Sequence, residues 1–252
     1  MEDLLYEIRD GIGHVTLNRP ERRNALTLAM YARIAKICRE PGEAKVLILR
    51  GAGERAFAAG TDMTEFRGFS RPEDAWEYEA KMDRVLSDIE RCPVPTIAAI
   101  RGACTGGGAA IAAACDLRLT DGALKFGFPI ARTLGNCLSI SNLARLQVLL
   151  GGGRLREILF TARLIGAEEA AAIGLVAEIC ADVDARALSL AETLMGHAPL
   201  TLRATKEALR RLRTDGPGAD DRDLVELCYM SADFRDGMEA FLAKQKPTWT
   251  GS

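Results

Sequence analysis

Apolar residues fall in short blocks along this chain, and the spacing inside each block predicts its element. Residues 5–9 and 12–17 flank Asp10-Gly11, a dipeptide that turns β-hairpins. Residues 27–39 carry Leu28, Tyr31, Ile34, Ala35 and Cys38 at helical spacing, and Thr27 stands where an N-cap belongs. Residues 45–50, 96–100 and 116–120 read as buried strands, and 51–63 as a glycine-bearing loop. Residues 71–91 are charged and amphipathic and read as an exposed, mobile helix. The small apolar run 107–114 reads as a buried helix, and 123–126 as a short extended piece. From Ser139 onward the periodicity becomes mostly helical: 139–150, 153–161 and 167–172, a short strand at 175–179, then 183–196, 200–213, 219–230 and 233–243. Strands alternating with helices, followed by helices alone, predict an α/β protein with a stacked core and a helical C-terminal region.

Composition narrows this picture. An apolar fraction of 48% over 252 residues supports a substantial core. A net charge of -2 argues against nucleic-acid binding, which needs a basic face. The seven cysteines stand at 38, 92, 104, 115, 137, 180 and 228 without a C-x-x-C, which indicates buried thiols in a reducing compartment. Two histidines, His14 and His197, give no basis for a histidine-ligated metal site. The N-terminus has neither a basic region nor an apolar core of the signal-peptide type, and no run reaches membrane-spanning length, so a cytoplasmic protein without a membrane partner is expected.

Chemistry concentrates where residues 95–100, a buried strand, run into Gly106-Gly107-Gly108 and a helix. Glycines at such a turn admit close approach of another molecule, because no Cβ intervenes. The first N–H groups of the helix lack internal partners and sit at the positive end of its dipole. Such a turn holds negative charge, either a phosphate or an oxyanion. Neither G-x-G-x-x-G nor G-x-x-x-x-G-K-[ST] is present. A second turn, Ala56-Phe57-Ala58-Ala59-Gly60-Thr61-Asp62, also follows an apolar strand and contains glycine and small residues.

Together these two segments resemble the enoyl-CoA hydratase/isomerase (crotonase) superfamily. Further motifs carry the resemblance over nearly the whole chain: Asn18-Arg19-Pro20-Glu21-Arg22-Arg23-Asn24-Ala25-Leu26, Cys115-Asp116-Leu117-Arg118-Leu119-Thr120, Phe126-Gly127-Phe128-Pro129, the stretches 160–170 and 173–176, and a closing segment with Gly237, Phe241 and Lys246-Pro247. The resemblance implies a ββα spiral core over residues 1–195 and a helical trimerisation region over 196–252, assembled as a homotrimer or a dimer of trimers. It implies an acyl-CoA substrate, with coenzyme A as part of that substrate and no separate cofactor or metal. The backbone N–H groups of Thr61 and Gly107 are then the donors that hold the thioester oxygen as an enolate. Arg23, Ala25, Ala58, Gly60, Asp62, Met63 and Gly106 lie on the expected substrate path, with Asp62 expected to tie down the oxyanion loop.

One departure matters. Hydratases of this kind place one glutamate three residues after the middle glycine and another directly after the proline of F-G-x-P. Here those positions are Ala110 and Ile130. Neither side chain transfers protons, so two-glutamate water addition is not expected. The next segment, 132–139, is unusual too, and Arg132 and Leu134 are expected at the acyl pocket. A guanidinium at 132 suits a substrate carboxylate. The readings left open are therefore an enolate-forming acyl-CoA enzyme, an acyl-CoA decarboxylase that uses Arg132, and an acyl-CoA-binding protein without catalysis. A nucleotide-dependent oxidoreductase is disfavoured by the missing phosphate fingerprints.

Overall fold

A computed structural model describes residues 2–252. It opens with the hairpin of β1 (Leu4–Arg9) and β2 (Ile12–Leu17), turned by Asp10 and Gly11, both at positive φ. Helix α1 (Leu28–Arg39) starts where Thr27 accepts the Met30 N–H, and returns the chain to β3 (Val46–Gly51), parallel to β2. The chain then crosses to the short strand β4 (Ala56–Ala58) and rises into α2 (Pro72–Glu90).

This unit repeats. Strand β5 (Thr96–Ile100) leads to β6 (Ala103–Thr105) and α3 (Gly107–Ala114); β7 (Leu117–Thr120) leads to β8 (Lys125–Gly127), α4 (Ile130–Thr133) and α5 (Ile140–Leu150). The first strand of each unit joins a six-stranded sheet, ordered β1-β2-β3-β5-β7-β9, and the second joins a three-stranded parallel sheet, β4-β6-β8. The sequence suggested only the third member of that small sheet, as an extended piece; β4 and β6 lie inside what reads as loop. Glycine marks two of the crossings. A Cβ at Gly51 would meet the carbonyl oxygens of Ala56 and Phe57, and Gly102 has φ +63 with the Arg55 carbonyl against it.

After α6 (Gly152–Thr161) and α7 (Ala167–Ala172), the two-residue β9 (Glu178–Ile179) closes the large sheet. Four helices follow: α8 (Val183–Met195), α9 (Pro199–Asp215), α10 (Arg222–Tyr229) and α11 (Ala232–Leu242). Both faces of the large sheet are covered, which is why its strands read as near-continuous apolar runs. On one face Leu47, Leu49, Ala98 and Ile100 join the main core; on the other Ile48, Ile97 and Leu119 pack with Val183, Ala187 and Ala191 of α8. Helix α9 is tied to the sheet by Lys206, whose Nζ lies 2.6 Å from Asp116, while Asp116 also accepts the Thr96 N–H and hydroxyl. Among the described residues no helix is long and apolar enough to cross a membrane.

Helix α2 departs from the exposed helix expected of it. Met82, Val85, Leu86 and Ile89 form a buried stripe facing the core, while Trp76 on the outward side is exposed. The charged residues dominate its composition, but a three-to-four spacing of apolar positions decides how it packs.

A tight backbone contact joins α3 to β4. A Cβ at Gly108 would run into the carbonyl of Ala58, backbone against backbone. Gly108→Ala is therefore expected to destabilise the protein by about 1–3 kcal/mol. Thermal unfolding should show the midpoint falling by several degrees.

Candidate active site

A cavity of about 400 Å³ opens where the β4–α2 connection, the first turn of α3, the inward face of α2 and the 128–142 segment meet. Gly60, Thr61, Met63, Gly106, Gly107, Ala110, Ile130 and Leu134, all singled out from the sequence, line it.

Two backbone arrangements make its polar end. Leu26 donates its N–H to the Gly60 carbonyl and accepts the Asp62 N–H, at 2.8 Å each. In parallel pairing the residue between, Thr61, turns its own N–H away from Leu26. That N–H donates to nothing among the described residues. Gly107 is the first residue of α3, so its N–H has no partner within the helix. The two are brought close because position 107 has no side chain: a Cβ there would collide with the Tyr31 hydroxyl and lie 3.1 Å from Thr61 Oγ1. Two free donors on facing segments are what a developing oxyanion needs.

The segment behind them is held by Asn24. It is fully buried with φ +56, a conformation asparagine tolerates better than most residues. Its amide donates to the carbonyls of Ala52 and Ala56, and its Oδ1 accepts the Arg19 N–H. Arg23 accepts the Ala59 N–H through its carbonyl, and the Ala25 carbonyl accepts from the Arg19 guanidinium. Arg23 and Ala25 thus stand beside the oxyanion segment, outside the cavity itself.

Three candidates are placed differently from expectation. Ala58 has no exposed surface; it lies beneath Gly108, and Ala59 takes its place at the cavity. Asp62 does not line the cavity: its carboxylate accepts the Thr64 N–H and hydroxyl and pairs with Arg19 at 2.9 Å. The Thr64 bonds, then Arg19, hold its pKa down at about 2. Arg132 is exposed on α4 and does not line the cavity, because the short helix turns it outward.

The structure adds residues that sequence reading placed on the surface or passed over. Tyr31 Oη, Thr61 Oγ1 and Tyr78 Oη form a chain with links of 2.9 and 2.8 Å. Burial raises both tyrosine pKa values, so the phenols stay protonated at neutral pH. Three hydroxyl protons serve two links, which leaves one for another acceptor. Glu79 also faces the cavity, with its pKa pushed up by burial and then by Asp83. The signal for it was available: position 79 interrupts the apolar stripe of α2. Among the described residues no group of three or more His, Cys, Asp or Glu side chains is placed to hold a metal ion.

Comparison with known proteins agrees with this fold. The family model described as enoyl-CoA hydratase/isomerase matches residues 7–252. A short-chain-enoyl-CoA hydratase of Clostridium acetobutylicum is 30% identical over 98% of this chain and 97% of its own. An enoyl-CoA isomerase/hydratase of Mycosarcoma maydis is 33% identical over 96% and 93%. The crystal structure of an enoyl-CoA hydratase/carnithine racemase from Magnetospirillum magneticum superposes with a TM-score of 0.90 at 36% identity, covering 100% of this chain and 97% of that one. The chain belongs to the enoyl-CoA hydratase/isomerase family, and its fold is that of the crotonase-like α/β proteins.

Two outcomes follow from the site's framework. Asn24→Ala strands two buried carbonyls and should lower stability by about 2–3 kcal/mol in denaturant unfolding. Asp62 has a folded pKa depressed from 3.8 to about 2, so its stabilising effect is full above pH 4 and is lost as pH falls towards 2. Asp62→Asn should therefore be less stable than wild type at neutral pH, with the gap closing across that acid window.

Proposed function

We propose that this protein is an acyl-CoA enzyme that stabilises a thioester enolate between the backbone N–H groups of Thr61 and Gly107, and that two-glutamate hydration is not its reaction. The observation that carries the second part is the cavity wall itself. Ala110 and Ile130 both face the cavity, and neither position offers a carboxylate. A hydratase must deliver a water molecule and a proton with positioned acid and base groups. Here the walls at both positions are hydrocarbon, and the remaining polar lining consists of hydroxyls, amides and Glu79. Decarboxylation anchored by Arg132 loses its support, since that guanidinium stands outside the cavity. Exposed apolar residues on the C-terminal helices, Leu209, Val225, Tyr229 and Phe241 among them, support self-association through this face, and the family resemblance implies a homotrimer or a dimer of trimers.

The test pairs two probes. Purified protein in D₂O is expected to exchange the α-protons of butyryl-CoA, read by proton NMR, because exchange needs only enolate stabilisation and one proton carrier. With crotonyl-CoA the enoyl thioester absorbance is expected to persist. Rapid loss of that absorbance through formation of 3-hydroxybutyryl-CoA would overturn the exclusion of hydration.

A further inference from the structure

We propose that Glu79 is the proton carrier of this site, a catalytic carboxylate delivered from α2 in place of the two positions occupied by Ala110 and Ile130. The proposal rests on the enolate reading above and names the group that reading lacks.

Placement comes first. Ala75, Tyr78, Met82 and Leu86 follow one another at three- and four-residue intervals along α2, and all four line the cavity or its outer extension. Glu79 belongs to this same face, half-buried, and lines both parts. Among the residues lining the main cavity it is the one side chain that carries a formal charge. Its neighbours are engaged elsewhere. Asp83 accepts the Ser139 hydroxyl at 2.7 Å and lies 3.8 Å from Arg145. Glu90 is bound by Arg145 and Arg213. Glu65 accepts the Leu28 N–H. Glu79 has no salt bridge and no side-chain partner among the described residues, which leaves its carboxylate free to meet a bound molecule.

Its surroundings suit proton transfer. Burial and the like charge of Asp83 raise its pKa, opposed by the Ser139 backbone N–H. A carboxyl that titrates nearer neutrality both takes and returns a proton readily. One turn beyond Ser139, Asn142 lines the same cavity; it is 7% exposed and its side-chain oxygen has no partner. A polar acceptor held there without a bond points to a bound molecule, or its water, reaching that wall.

The step balances simply. A carboxylate oxygen of Glu79 takes a proton from the carbon next to the thioester carbonyl. The C–H electron pair becomes the C–C double bond, and the carbonyl pair moves to oxygen, between the N–H groups of Thr61 and Gly107. Once the Glu79 carboxyl has traded that proton for a deuteron from D₂O, delivery of the deuteron to the same carbon completes one exchange. In a 3-enoyl thioester, return to the γ-carbon moves the double bond into conjugation.

Butyryl-CoA exchange in D₂O tests this with the full chain. Glu79→Gln is expected to slow exchange by about 10²–10⁴-fold, the usual contribution of a positioned acid–base group, with butyryl-CoA affinity by calorimetry held within about threefold. In wild type the acidic limb of the rate–pH profile should lie above the ordinary glutamate range. Asp83→Asn, which removes the neighbouring charge, should move that limb to lower pH and leave the plateau rate in place. Exchange by Glu79→Gln within threefold of wild type overturns the role of Glu79 and leaves the enolate reading standing. Wild type that binds butyryl-CoA but exchanges nothing overturns both.

Discussion

A close approach of two backbones governs this molecule. The first turn of α3 lies so near the end of β4 and the Thr61 segment that side chains at 107 and 108 have no room. That approach places two donors, one from a helix start and one from a bridged strand end, on the same cavity. Everything else at the site is arranged around it. Asn24 and Leu26 hold the Thr61 segment from behind, and the small residues of α3 let that helix sit deep in the core. The donors are main-chain atoms, so their placement depends on packing more than on the identity of any one side chain.

Much of this was legible in the sequence. The hairpin, α1 with its Thr27 cap, the buried strands of the large sheet and the glycine turn all follow from local rules, and local rules hold where one element decides its own conformation. Of the small sheet only β8 was hinted at, because β4, β6 and β8 are three residues each and too short for a period to show. Its strands exist through pairing between distant parts of the chain, Ala56 with Ala103 and Ala103 with Lys125, which no short window of sequence contains. Helix α2 failed differently. Its charge hid an inward stripe that spacing alone would have exposed.

The site divides along the same line. Thr61 and Gly107, picked from the motifs, both line the cavity, because motif and backbone position coincide there. Arg132 was placed at the pocket by proximity along the chain, and a four-residue helix suffices to turn it outward. Tyr78 lies 17 residues from Thr61, yet their hydroxyls meet at 2.8 Å, a contact set by how α2 packs on α1. Such partnerships are properties of the assembled core and appear only once helices have been docked.

The hydroxyl chain of Tyr31, Thr61 and Tyr78 has a further property. Each link can run in either direction, so the row has more than one proton order with the same heavy-atom positions. Reversing the order swaps which end presents a hydrogen and which presents a lone pair. A guest bringing an acceptor and a guest bringing a donor can both be met at the Tyr78 end by rotating O–H bonds alone. The cavity thus has a polarity that its occupant sets, inside a frame that stays rigid.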